Sequence, residues 1–198
     1  MQSTKGLIVA SMFDGMSCGQ IAFERAGIPI EKYYASENDK YAIQVTMANY
    51  PDTVQLGSIT EWQSWNIEKP DIIIGGFPCQ PYSVAGKRKG LEDKRGGDIV
   101  DCMFGVIEKY KPEYVLMENV KGLLSIDNGN TFKNILKTLN NLGYAVDWFI
   151  INSSLVSAQN RERIYILSKR LDKCNGINYT VHVYKDNKRN YQLSFLWE

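Results

Sequence analysis

The chain is almost without histidine: His182, near the C-terminus, is the only one among 198 residues. Catalysis built on a central imidazole therefore has little to work with. The four cysteines, Cys18, Cys79, Cys102 and Cys174, form no C-x-x-C pair. That argues against a zinc site and a disulfide framework, and it suits a reducing cytoplasm. No apolar run approaches membrane-spanning length, and the start, "MQSTKGLIVASMFDG", meets an acid too soon for a secretory signal. Net charge is also missing. With 23 Lys and Arg against 22 Asp and Glu the sum is +1, so contact with a nucleic acid has to come from local patches. There are no internal repeats and no low-complexity linker.

What is present is alternation. Short apolar runs read as strands at 7–13, 32–37, 53–58, 71–76 and 113–119, followed by 144–154 and 163–169. Between them, 19–27, 40–50, 98–109 and 130–143 carry helical spacing. In the last of these Phe132, Ile135, Leu136, Leu139 and Leu142 share one face, with Asn130 expected as N-cap and Gly143 just past the C-terminal end. Continuous apolar strands alternating with helices predict an α/β fold, a mostly parallel sheet covered on both faces. Residues 171–198 break the pattern, with one β-like piece, "NYTVHVY".

In such sheets ligands bind beyond the carboxyl ends of the strands. The strand ends here deliver "FDGMSCG", Glu37, "GSI", "GGFPCQPYS" and "ENV". The first lacks G-x-G-x-x-G, so the dinucleotide fingerprint is not met. Gly15 and Gly19 still allow close approach to the backbone. Glu37, about 20 residues on, stands where a ribose hydroxyl is usually accepted. Together they suggest an adenosine-type cofactor without a pyrophosphate; the other reading is a plain tight turn with a solvated acid.

Cys79 is either a buried structural thiol or a reactive one. The segment from Lys87 to Arg95 carries five positive and two negative charges, and nearby positive charge favours a thiolate. Pro78 and Pro81 restrict the backbone around it, and Glu118 leaves another strand at the same edge. A cysteine beside an acid, with no histidine, differs from a protease pair and suits addition to an electron-poor ring. In "QNRERIYIL", period two puts Arg161 and Arg163 on one side of a strand. They are either a surface edge paired to Glu162 or guanidinium groups aimed at a carbonyl or phosphate.

These segments resemble the DNA cytosine-C5 methyltransferases, particularly the small phage and bacterial members. "MFDGMSCGQIAFERAG" looks like their first motif, "ASENDKYAIQV" the second, and "GGFPCQPYSVAGKRKGLEDKRG" the fourth and the start of the fifth. "LMENVKGLLSIDNGNTF" is similar to the sixth, and "INSSLVSAQNRERIYIL" to the eighth. The resemblance implies a Rossmann-like S-adenosylmethionine-dependent fold acting on double-stranded DNA, without metal or membrane, in a bacterial or phage-infected cytoplasm. It implies a cofactor site at Phe13, Asp14, Gly15, Met16, Ser17, Gly19, Glu37, Asn38, Ser58, Ile59 and Pro78. Cys79 would attack ring C6 of a flipped cytosine while Glu118 holds N3 and the exocyclic amine. Arg163 and Arg161 would hold the base carbonyl and Asn119 would brace the loop. Gln80, Ser83, Lys87, Arg88, Lys89 and Arg95 would face the nucleic acid.

The chain also departs from that pattern. Ser58 stands where an Asp is usual, Asn38 where an apolar or aromatic residue is usual, and Asp98 where an apolar one is usual. Past Ser168 no target-recognition domain and no final motifs are visible. The expected organisation is a catalytic domain over 1–170 with a tail over 171–198, and a second subunit supplying target recognition. The competing functions are the same chemistry on tRNA, which the missing Cys-Phe-Thr signature opposes, and a split-enzyme subunit or non-catalytic remnant. A cysteine hydrolase is opposed by the missing histidine.

Overall fold

The computed structural model describes residues 5–78 and 99–173, and the strands at 181–185 and 191–195. Strands β1 (Leu7–Met12), β2 (Ile30–Ser36), β3 (Val54–Gln55), β4 (Ile72–Gly76), β5 (Tyr114–Val120), β6 (Tyr144–Asn152) and β7 (Glu162–Arg170) form one sheet in the order β3-β2-β1-β4-β5-β7-β6. The helices are α1 (Cys18–Arg25), α2 (Lys40–Asn49), α3 (Ile99–Tyr110) and α4 (Asn130–Asn141). Pairings from β3 through β5 are parallel, and β7 is antiparallel to both β5 and β6. Strands β8 (Val181–Lys185) and β9 (Tyr191–Phe195) pair as a separate antiparallel ribbon, with β9 lying near β6.

The sheet divides two apolar layers of unequal size. Trp62, Trp65, Met103, Phe104, Ile107, Ile135, Leu139 and Trp148 belong to the larger one, which packs α3, α4 and the 3-10 turn at 59–64 onto one face. Gly105 of α3 is obligatory there, because a Cβ would lie 2.4 Å from the Trp62 ring. Val9, Tyr33, Ala35 and Ile74 form the smaller layer, against Phe23 of α1. The two adjacent tyrosines of β2 thus enter opposite layers, Tyr33 the smaller and Tyr34 the larger.

The α/β expectation holds, and three details differ. The third strand shortens to Val54–Gln55, because Ser58 already caps the next turn by accepting from the Thr60 N–H. Helix α4 is preceded by Gly129, at φ 83, so Asn130 is its first helical residue and not its N-cap; Gly143 ends it at φ 87. Strand β7 starts at Glu162, which leaves Arg161 outside it. Among the described residues no helix is long and apolar enough to cross a membrane, and no cluster of three or more His, Cys, Asp or Glu could hold a metal.

Candidate active site

The parallel strands all end at one edge, and β7, running the other way, starts there. The candidate residues fall into two groups along that edge.

The first group surrounds the β1–α1 loop. Phe13, Gly15 and Ser17 all have left-handed backbone, at φ 57, 59 and 58. For Phe13 and Ser17 this costs roughly 1–3 kcal/mol each, and such outliers gather at functional sites. Gly15 bears no such cost, and a Cβ on it would meet nothing within 4 Å, so the space above it is open. Hydrogen bonds hold the loop from several sides. The Asp14 N–H donates to the Ser36 carbonyl at 3.1 Å, which ties the end of β1 to the end of β2. The buried Ser17 hydroxyl donates to Asp14 Oδ2, and the Tyr33 hydroxyl donates to Asp14 Oδ1 at 2.7 Å. Thr46 of α2 reaches the Gly15 carbonyl at 3.4 Å. Met16 projects outward, 55% exposed.

Glu37 accepts the Gly15 N–H at 2.7 Å through Oε2, and the Asn38 and Asp39 N–H groups at 2.7 and 2.9 Å through Oε1. Three amide dipoles thus orient the carboxylate; Oε1 is filled by two of them, and Oε2, with one, keeps acceptor capacity for a hydroxyl. Asn38 itself is exposed. The Ser58 hydroxyl lies 2.8 Å from that of Thr60, and Ile59 turns into the core, 4% exposed. Gly19 is constrained by the sheet beneath α1. A Cβ there would lie 2.6 Å from Ile74 Cδ1 and 2.7 Å from the Tyr33 hydroxyl, so its lack of a side chain serves packing of α1 on the sheet.

The second group lies where β4, β5 and β7 meet. Gly76 pairs with Glu118, and Val120 faces Arg163 across the antiparallel ladder. Glu118, Val120 and Arg163 therefore share a face. Arg163 Nε meets Glu118 Oε1 at 2.9 Å, with side chains 18% and 34% exposed, and Arg163 also donates to the Glu162 carbonyl at 2.9 Å. Glu162 in turn pairs with Lys121 at 3.0 Å, so the side-chain pairing expected between an arginine and Glu162 goes to a lysine. A Cβ on Gly76 would come within 3.1 Å of Glu118 Oε2, so glycine keeps that side of the carboxylate clear. Asn119, 2% exposed, donates to the Phe77 carbonyl at 2.9 Å and accepts the Val120 N–H at 2.8 Å. It fastens the end of β5 to the segment leaving β4. Pro78 follows, exposed. Arg161 is exposed, and its backbone N–H donates to the Asn152 side chain at 3.1 Å.

Cys79, Gln80, Ser83, Lys87, Arg88, Lys89, Arg95 and Asp98 lie outside the described residues. Among the described ones, sequence reasoning missed Tyr33, Gly76 and the Phe77 carbonyl. Tyr33 looked like any buried strand residue, and a main-chain carbonyl leaves no mark in a sequence. The glycine pair closing an all-apolar strand was the one signal available for Gly76.

The family model for C-5 cytosine-specific DNA methylases matches residues 7–195. The chain belongs to that family. An orphan methyltransferase of Bacillus phage rho11s is 38% identical over 169 residues, covering 84% of this chain and 33% of that one. A type II methyltransferase of Haemophilus parahaemolyticus is 40% identical over 168 residues, 84% of this chain and 50% of its own. This family member thus spans between a third and about half of these two relatives. Among solved structures, the Dnmt2 methyltransferase of S. pombe superposes with a TM-score of 0.67 at 22% identity, over 83% of this chain and 51% of that one. That likeness shows the fold, a Rossmann-like sheet with an antiparallel strand inserted near one edge.

Proposed function

We propose that the chain is the catalytic part of a DNA (cytosine-5) methyltransferase that uses S-adenosylmethionine and acts on double-stranded DNA in a bacterial or phage-infected cytoplasm. The observation that carries this reading is the Glu118–Arg163 pair. It sets an acid and a guanidinium on one face of the sheet, beside a glycine three residues before Cys79.

The first group of residues fits an adenosine-bearing cofactor. Glu37 offers an oriented acceptor, Oε2, to a ribose hydroxyl, the space over Gly15 is open, and Asn38 and Ser58 supply polar groups at the next two strand ends. Phe13, Asp14, Met16, Ser17, Ile59 and Pro78 shape the surrounding wall. Bound there, S-adenosylmethionine supplies an electrophilic methyl group on a sulfonium.

The residues of the second group act on the base. The Cys79 thiolate forms a bond to C6 of the flipped ring while Glu118, having taken a proton from solvent as Arg163 turns to the base, delivers it to N3, so the ring's electrons become available at C5. C5 takes the methyl group and then loses its own proton to a base. The S–C6 bond breaks, the thiolate leaves, and the N3 proton returns to Glu118. Arg163 holds the carbonyl of the ring, with Arg161 as the outer cation, and so exchanges part of its pairing with Glu118 for the substrate. Asn119 fixes the peptide before Pro78 and Cys79 through the Phe77 carbonyl. Gln80, Ser83, Lys87, Arg88, Lys89 and Arg95 contribute contacts and positive charge to the duplex.

Incubation with S-adenosylmethionine and duplex DNA carrying 5-fluorocytosine tests this reading, because fluorine at C5 cannot leave as a proton and the adduct is trapped. A denaturation-resistant complex is expected, and it should vanish in Cys79→Ser. An adduct formed on RNA but not on DNA would reassign the substrate.

One observation favours a second subunit that supplies target recognition and, with the tail at 171–198, completes the enzyme. Beyond the second group, Phe149 stacks on Tyr165 with centroids 5.7 Å apart, and Phe149, Ile151 and Leu167, all exposed, lie on the same face of the β6–β7 ladder as that pair. An exposed apolar face of this kind suits an interaction site. On that reading the isolated chain forms no adduct until the partner is added.

A further inference from the structure

Tyr33 lies in the middle of β2, 3% exposed, beneath α1. Its hydroxyl does not end in the core. It donates to Asp14 Oδ1 at 2.7 Å, while Ser17 donates to Oδ2 of the same carboxylate. Asp14 is in the strained segment between Phe13 and Ser17, and the Ser17 N–H closes back onto its carbonyl at 3.1 Å. The path of the hydroxyl depends on Gly19, since a Cβ there would lie 2.7 Å from it. A helix glycine, a strand tyrosine and a loop aspartate thus form one device, and left-handed residues on either side of Asp14 need something to hold them.

We propose that Tyr33 is a positioning residue for the cofactor: its buried hydroxyl, acting through the Asp14 carboxylate and admitted by Gly19, holds the 13–17 backbone in its receiving shape before the ligand arrives. The proposal rests on reading this loop as part of the S-adenosylmethionine site. Two further observations suit it. Burial, reinforced by the Asp14 charge, pushes the Tyr33 phenol far above the usual tyrosine range, so it stays a donor at any physiological pH. And Glu37 grips the same loop through the Gly15 N–H at 2.7 Å, so the loop is held twice, by the Tyr33 hydroxyl from the middle of β2 and by the Glu37 carboxylate just past its end.

Tyr33→Phe keeps the ring and removes only the hydroxyl. Two readouts decide the matter. Amide hydrogen exchange without ligand should accelerate at least about tenfold at residues 13–17 while β4 and β5 are unchanged. Titration calorimetry with S-adenosylhomocysteine should show binding weakened about tenfold or more, as for loss of a hydrogen bond to a charged group. Unchanged exchange in the loop, or acceleration spread evenly through the sheet, would overturn the proposal and make Tyr33 a core residue only. Local acceleration with unchanged affinity would also overturn it, because the loop's shape would then be irrelevant to the ligand. If the unaltered protein bound no S-adenosylhomocysteine, the reading of the cofactor site would fail instead, and the exchange experiment would still decide whether Tyr33 holds the loop.

Discussion

The two ends of the catalytic edge are built on opposite principles. At the β1–β2 end both carboxylates are already engaged with the protein's own backbone or neighbouring hydroxyls: Glu37 with three amides, Asp14 with two hydroxyls. At the β5–β7 end the central contact is one ion pair, Glu118 with Arg163, and on the proposed function each side chain would exchange the other for a group of the base. On the proposed function the first end is shaped in advance, and the second would have to re-partner. A cofactor that binds and leaves unchanged in outline calls for the first design, with little left to order on binding. A base on which charge develops calls for charged groups close at hand, and the second end holds an acid and a guanidinium there.

Substitutions at either end test whether this division is real. The largest effect is expected from Glu118→Gln, which keeps the shape and removes the acid. Methyl transfer to duplex DNA, measured with labelled cofactor, should fall roughly 10²–10⁴-fold, while S-adenosylhomocysteine affinity changes less than about twofold. A large loss of affinity would merge the two ends into one. Glu37→Ala should do the reverse, weakening S-adenosylhomocysteine binding by about 10–100-fold in calorimetry, the scale of a lost hydrogen bond to a charged group. Asn119→Ala should lower unfolding stability by about 1–3 kcal/mol in urea titrations, because it leaves the Phe77 carbonyl and the Val120 N–H without their partner. Lys121→Ala should cost no more than about 1 kcal/mol, since its bridge to Glu162 is about half exposed on both sides. A larger loss there would mean that the outer pair supports the inner one.

The sequence disclosed these two ends unevenly. Continuous apolar strands and helical spacing were enough for the sheet, its helices and the edge where the site lies, because burial pattern and period leave a direct trace. Glu37, Glu118 and Asn119 were legible because they stand at strand ends. Arg161 was misplaced because period two holds only inside a strand, and β7 begins one residue later. The packing constraint on Gly19 was not legible, because a motif glycine carries no mark of a close approach from the sheet. The Tyr33–Asp14 contact was invisible for a related reason. It joins residues 19 apart across a strand pairing, and only the register of Met12 with Ser36 brings them together.

On the proposed function, Cys79 is the nucleophile that directs the methyl group to C5 of cytosine in DNA. Nucleoside mass spectrometry of duplex DNA, incubated with isotopically labelled S-adenosylmethionine and either the unaltered protein or Cys79→Ser, tests it most directly. The account predicts labelled 5-methylcytosine from the first and none from the second. Label retained in full with Cys79→Ser, or recovered on a different base or ring position, would contradict it.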